Sequence, residues 1–210
     1  YTGAYALLGM ALYAVQLYAD FTGGIDITIG IAQVLGIRVQ ENFNRPYFSK
    51  NITEYWRRWH ISLGEWFKEY LFYPVSVSKP MLRLSKNARA RLGDAVGKRI
   101  PVYLSTILVW LTTGIWHGRG WNFVVWGLGN CVIILISQEL SPLYRKFHAR
   151  FPSLKNTAPY KSFEILRTVF LLSSLRMLDC YRDVPLTFRM FGGIFTEGNY
   201  AELLGGGFLK

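Results

Sequence analysis

Residues 102–136 read VYLSTILVWLTTGIW-HGRG-WNFVVWGLGNCVIILI, and this stretch decides what kind of protein the chain is. Two apolar arms, 102–116 and 121–136, flank a break at His117-Gly118-Arg119-Gly120. At about 1.5 Å of rise per residue, each arm is a little short for a ~30 Å hydrocarbon layer. The pattern predicts a hairpin of two tilted helices, with Pro101 as the first residue of the first one, a position where a missing N–H is tolerated.

Working upstream, residues 38–99 carry many more lysines and arginines than acids, and before them come two further apolar runs, 3–18 and 27–37. Asp20, Thr22, Gly23, Gly24 and Asp26 separate these runs, which predicts two helices joined by a polar break. The two carboxylates suit partners such as Arg38 or Arg45, or a polar cavity. Working downstream, residues 140–162 are polar and mildly basic, interrupted by Pro142, Pro152 and Pro159, and a last apolar helix covers about 165–178. If both basic segments face the cytoplasm, the hairpin between them satisfies the positive-inside rule.

Composition agrees. The chain is 51% hydrophobic and 16% aromatic with a net charge of +11, more apolar material than a soluble domain of this length needs. Its positive charge lies between apolar stretches, which suits anionic headgroups rather than nucleic acid. The expected fold class is all-α: a polytopic integral membrane bundle with an amphipathic helix at the interface. Cys131 and Cys180 suggest neither a disulfide framework nor a zinc site. The sequence opens at Tyr1 without a charged leader and ends at Lys210 after Gly205-Gly206-Gly207 with no obvious closing element, so we read it as the later part of a longer domain.

The amphipathic helix is expected after Asn51, which with Glu54 three residues on forms a capping box with Asn in the Ser/Thr position. Trp56, His60, Leu63, Phe67 and Tyr70 then share one face, and Arg58, Ser62, Glu65 and Glu69 the other. Pro74 is expected to end it, and residues 76–98 to form an exposed basic loop.

Three histidines are the candidates for chemistry. His148 lies among Arg145, Lys146 and Arg150 and is expected to be solvated. His117 sits where an apolar helix breaks, between Trp116 and Gly118 with Asn122 nearby; an imidazole at membrane depth suits a functional site, and a helix-capping histidine is the alternative. His60 lies on the aromatic face, either as a functional group or packed among tryptophans. There is no HExxH pattern, GxSxG elbow or P-loop lysine, so metalloprotease, serine-hydrolase and nucleotide-hydrolysis readings lack support. A neutral imidazole can take the proton of a sugar or alcohol hydroxyl as its oxygen attacks a thioester carbonyl, then return it to the leaving thiolate. The oxyanion needs a donor, for which Asn122, the Trp116 or Trp121 indole, and the Gly118 and Gly120 N–H groups are candidates.

Four blocks together resemble the membrane-bound O-acyltransferases: 20–26 (DFTGGID), 41–47 (ENFNRPY), 55–63 (YWRRWHISL), and 114–118 (GIWHG) followed by Trp121-Asn122-Phe123 and Trp126-Gly127. Residues 175–195 match that family's late helix more loosely. The similarity is greatest to the bacterial branch that acetylates exopolysaccharides such as alginate or D-alanylates teichoic acid; residues 74–98 depart from the glycine-rich sequence of alginate-type members. The resemblance implies that 1–210 is the C-terminal part of one membrane-bound O-acyltransferase domain in the bacterial cell membrane. It implies His117 as the catalytic histidine and His60 as a second functional one. Trp116, Asn122, Trp59 and Arg58 are then the expected substrate contacts. No cofactor or metal is expected to be bound; the co-substrate is an acyl thioester, acetyl-CoA or an acyl carrier protein. The expected partners are membrane lipids, that donor, and a cell-surface polysaccharide or extracellular acyl-acceptor protein, with no nucleic acid. Arg57, Arg58 and the basic segment suit an acidic carrier, CoA phosphates or lipid headgroups alike. From a different class, a polysaccharide or lipid transporter would also place polar residues in the membrane, though no internal repeat supports it. A scaffold subunit without chemistry is the third reading.

Overall fold

A computed structural model describes residues 2–205; Tyr1 and residues 206–210, including most of the closing glycine run, lie outside the described residues. The chain is an all-α bundle of ten helices among the described residues: α1 (Ala4–Val34), α2 (Ile52–Arg58), α3 (Ile61–Phe67), α4 (Tyr73–Ser76), α5 (Lys79–Leu92), α6 (Asp94–His117), α7 (Trp121–Arg150), α8 (Ala158–Tyr181), α9 (Val184–Thr196) and α10 (Tyr200–Leu204). Three of them, α1, α6 and α7, are long and apolar enough to cross a membrane.

The expected hairpin is there. Its arms are longer than expected and very closely packed. A Cβ on Gly114 would stand 2.6 Å from the Phe123 carbonyl oxygen, and one on Gly127 would strike the Trp110 carbonyl oxygen and lie 3.2 Å from the Gly114 Cα. Backbone rides on backbone, the arrangement that small residues permit between helices in lipid.

Pro101 does not start α6. It lies inside the helix, which begins at Asp94. Proline removes the bond that would run to the carbonyl four residues earlier, that of Gly97. The buried Ser85 hydroxyl on α5 donates to this same carbonyl at 2.8 Å. α5 can come close because Gly97 has no side chain; a Cβ there would lie 2.7 Å from the Arg89 nitrogen. The expected loop over 76–98 is therefore mostly helix, begun by the Ser78 hydroxyl accepting from the Met81 N–H and packed against α6.

Three other expectations change. The polar break at residues 20–26 is absorbed into a continuous α1, because it contains no proline and glycine costs only about 1 kcal/mol in a helix interior. Thr22 and Thr28 satisfy their hydroxyls on the helix's own carbonyls, of Tyr18 and Gly24. Asp20 and Asp26 are exposed and form no ion pair with Arg38 or Arg45 among the described residues. Likewise α7 runs through Pro142 to Arg150, leaving only residues 151–157 as the connection to α8. Pro74 ends nothing; it lies in the first turn of α4, beyond a π-helical turn, Lys68–Phe72.

The aromatic core joins α2, α6, α7 and α8 around Tyr55, Trp59, Trp110, Trp126, Leu172 and Leu178. A second cluster, with Ala6, Met10, Met177, Met190 and Ile194, binds α1 to α8 and α9. Asn199 ties the two ends together, accepting from the Ala4 N–H at 2.8 Å and donating to the Thr2 carbonyl at 3.1 Å.

Candidate active site

The capping box predicted at Asn51 forms: its side chain accepts from the Glu54 N–H at 2.9 Å, and the Glu54 carboxylate accepts from the Lys50 N–H at 2.9 Å. The helix it starts, however, stops at Arg58. Trp59 is extended and His60 is left-handed at φ 47°, ψ 56°, a conformation costing a non-glycine residue about 1–2 kcal/mol. The chain holds this because 42–44 lies antiparallel to 58–61. The Asn44 N–H donates to the Arg58 carbonyl at 3.0 Å, the Ile61 N–H donates to the Asn42 carbonyl at 3.1 Å, and Phe43 bridges Trp59. These bonds replace the helical ones that the break removes. Trp59 is thereby driven into the core, 3% exposed, while His60 turns to a cavity.

That cavity, of about 580 Å³, lies between α2, α3, α6 and α7. His60 and His117 both line it, with Trp56, Trp59 and Trp110 forming much of its apolar wall. His117 is the last residue of α6, where Gly118 ends the helix, and its ring stands 4.6 Å from that of Trp126. Trp116 packs on both histidines, with ring centroids 5.1 Å from His117 and 6.4 Å from His60. His117 has no side-chain hydrogen bond among the described residues, so no protein group is paired with its ring nitrogens.

His60 is more tightly held. Phe21 meets its ring edge-on at 4.9 Å, and its Nδ1 lies 3.1 Å from Asn42 Oδ1. Burial holds its pKa below the ordinary histidine value. A base depressed in the folded state binds fewer protons there than in the unfolded chain. Stability therefore falls as pH drops from the ordinary histidine value, where the unfolded chain takes up the proton, towards the lowered value at which the folded His60 does so.

The other expected contacts are dispersed. Arg58 is half-buried and paired with Glu54 at 2.6 Å, while Arg57 lines the cavity instead. Trp116 is 59% exposed and touches the histidines without lining the cavity wall. Asn122 is buried with its amide donating to the Leu178 carbonyl at 3.1 Å, a bond between α7 and α8. His148 is not simply solvated: it is half-buried, bonded to the Tyr160 hydroxyl at 3.0 Å, and lines a second cavity of about 560 Å³. Thr53 and Gln138 line both cavities, so the two adjoin. Among the described residues no cluster of three or more histidine, cysteine or carboxylate side chains is placed to hold a metal.

Arg176, on α8, was not among the residues singled out in the sequence. It is buried, and its guanidinium lies 4.9 Å from the Trp126 ring, 5.3 Å from Trp59 and 6.0 Å from Trp56. Asp179 is its ion-pair partner at 3.9 Å, too long for a strong charge-assisted hydrogen bond. A cation braced by three indoles fixes the wall behind both histidines. The signal was present: a lone arginine in an apolar stretch, followed by Asp179, is expensive unless it does something. Arg176→Lys keeps the charge but loses the planar stacking, so the thermal midpoint of the full-length protein should fall by the equivalent of about 1–2 kcal/mol. An unchanged midpoint would remove stacking from this account.

Residues 1–89, which include His60, match the membrane-bound O-acyltransferase family. The chain is similar to the peptidoglycan O-acetyltransferase of Helicobacter pylori, 39% identical over 68% of this chain and 24% of that protein. It is 32% identical to a probable alginate O-acetylase of Azotobacter vinelandii, over 93% of this chain and 34% of the relative. It is also 32% identical to the teichoic acid D-alanyltransferase of Bacillus subtilis, over 61% of this chain and 30% of the relative. The chain thus spans about a quarter to a third of the length of the curated relatives it matches.

Proposed function

The chain belongs to the membrane-bound O-acyltransferase family, and from that premise we propose that the whole protein moves an acyl group from a thioester onto a hydroxyl of a bacterial cell-surface polysaccharide. The observation that carries this reading is the convergence of His60 and His117, from separate elements, on one apolar-walled cavity. His117 acts as the general base. A ring nitrogen takes the proton of the acceptor hydroxyl while the oxygen bonds to the thioester carbonyl carbon. The tetrahedral adduct collapses, the C–S bond breaks, and the proton passes from the imidazolium to the departing thiolate. The products are an ester and a free thiol. His60 lines the same cavity and accepts a hydrogen bond from the substrate.

Acetyl is the preferred group, because two of the relatives above are O-acetylating enzymes by name. D-alanyl transfer is kept as a second reading by the resemblance to the teichoic acid enzyme. The donor is acetyl-CoA or an acyl carrier protein, whose phosphates or acidic surface suit Arg57 and Lys68 at the cavity.

The test uses the full-length protein in its own cell envelope. The gene is removed and then restored, and base-released acetate and D-alanine are quantified on purified surface polymer. Loss and recovery of acetate is the expected result. Loss and recovery of D-alanine instead would exchange the acyl group, and no change in either ester would overturn acyl transfer in favour of transport or a scaffold.

A further inference from the structure

Asn42 makes a set of contacts that the reaction outlined above does not use. The residue is 5% exposed, and its Oδ1 lies 2.6 Å from the Ser62 hydroxyl, 3.1 Å from the Ser62 backbone nitrogen and 3.1 Å from His60 Nδ1. A backbone N–H can only donate, so the amide atom facing Ser62 must be the oxygen. This settles which way the amide points, an assignment that otherwise rests on choice. An amide oxygen can only accept. His60 Nδ1 must then carry the proton, and in the neutral ring the lone pair lies on Nε2. The Asn42 Nδ2 group, on the far side, donates to the Gln40 carbonyl at a long 3.5 Å, consistent with that orientation.

We propose that Asn42 is the positioning residue that fixes His60 as the Nδ1–H tautomer, leaving Nε2 as the hydrogen-bond acceptor that the ring offers to the cavity. The same residue holds the ring's backbone, since its carbonyl accepts from the Ile61 N–H and closes the segment in which His60 is left-handed. Side chain and main chain of one residue therefore set both the tautomer and the direction of the imidazole. In this state His60 can accept a hydrogen bond from a neighbouring hydroxyl of the acceptor, which leaves the proton of the reacting hydroxyl free to point at His117; the opposite tautomer would offer a donor at that place. The charged and titratable groups sharing the cavity are Arg57 from α2, Glu65 from α3, Lys68 just beyond it, and His117 from α6. None of them bonds to the His60 ring.

This inference rests on the acyltransferase reading for its consequence, but the tautomer can be measured apart from activity. The full-length protein, labelled with nitrogen-15 at its histidine rings, is reconstituted in lipid nanodiscs. The His60 resonances are identified by their loss in His60→Gln. At pH 7.5 the expected spectrum has a protonated Nδ1 and a bare Nε2. Asn42→Ala should release the ring to the other tautomer and reduce the turnover rate at least about tenfold, with a smaller change in KM. Asn42→Asp keeps an acceptor for Nδ1–H and Ser62, so it should retain the tautomer and restore much of the rate at alkaline pH. Its added negative charge should move the acid limb of the pH profile upward by about one unit or more. A His60 ring with its proton on Nε2 in the wild type would overturn the proposal, even if Asn42→Ala failed to fold. So would an Asn42→Ala protein with unaltered tautomer and rate. The expected tautomer in a protein that transfers no acyl group would leave the assignment standing and reject the acyltransferase reading instead.

Discussion

His117→Ala in the full-length protein should cut ester formation on the surface polymer at least about 100-fold while leaving the protein's abundance unchanged. The size of the loss follows from the nucleophile. A sugar hydroxyl stays protonated at neutral pH, and removing the group that takes its proton forfeits the general-base term. The unchanged abundance follows from the position of the residue. His117 is the last residue of α6, half-buried, and anchored by ring contacts rather than by hydrogen bonds among the described residues. His117→Gln preserves much of the side-chain volume and should be as inactive as the alanine variant. His60→Ala tests the other member of the pair. Its loss should be smaller, because His60 aligns the acceptor without taking the reacting proton. It should also cost some stability, because the Asn42 oxygen loses one of its donors. Ester levels that survive both His117 substitutions would remove the base from that position and return the transport reading to the front.

The features legible in the sequence were those set by neighbours along the chain. The apolar arms on either side of 117–120 predicted the α6–α7 hairpin, and the position of His117 at its turn came with it. The Asn51 cap was likewise readable from a spacing of three. What failed was decided across distance. The helical pattern through Trp56, His60 and Leu63 is real, yet the helix breaks at 59–60 because residues 42–44 supply competing backbone bonds. That break is what points His60 into the cavity, so the feature that makes the site was the one local periodicity could not show. Pro101 misled for a related reason. Its cost inside a helix is offset by Ser85, a hydroxyl from a different helix. Arg176 was visible as a charge in an apolar run, but its three indole partners come from α2, the 59–60 break and α7.

The hairpin also gives the largest expected effect on folding, from residues that do no chemistry. Gly127→Leu should abolish recovery of monodisperse full-length protein in detergent, and Gly127→Ala should lower its stability by about 1–3 kcal/mol or more. The atom met by a new side chain decides the size. At Gly127 the obstacle is the Trp110 carbonyl oxygen, part of a helix backbone, and the Gly114 backbone lies directly behind it. Neither can rotate away, so α6 and α7 must separate along the whole crossing. Separation would carry His117, at the end of α6, away from Trp126 and spoil the cavity as well. Gly129, two residues further along α7, is the control. A Cβ there would approach the Leu175 Cδ2 at 2.7 Å, the far end of a flexible side chain that can change rotamer. Gly129→Ala should therefore be mild, with its helix propensity gain of about 1 kcal/mol offsetting part of the crowding. Size-exclusion profiles and thermal midpoints of the two alanine variants make the comparison directly. Equal loss in both would mean that overpacking anywhere on this face is harmful, and the backbone contact at Gly127 would have no special part in holding the hairpin.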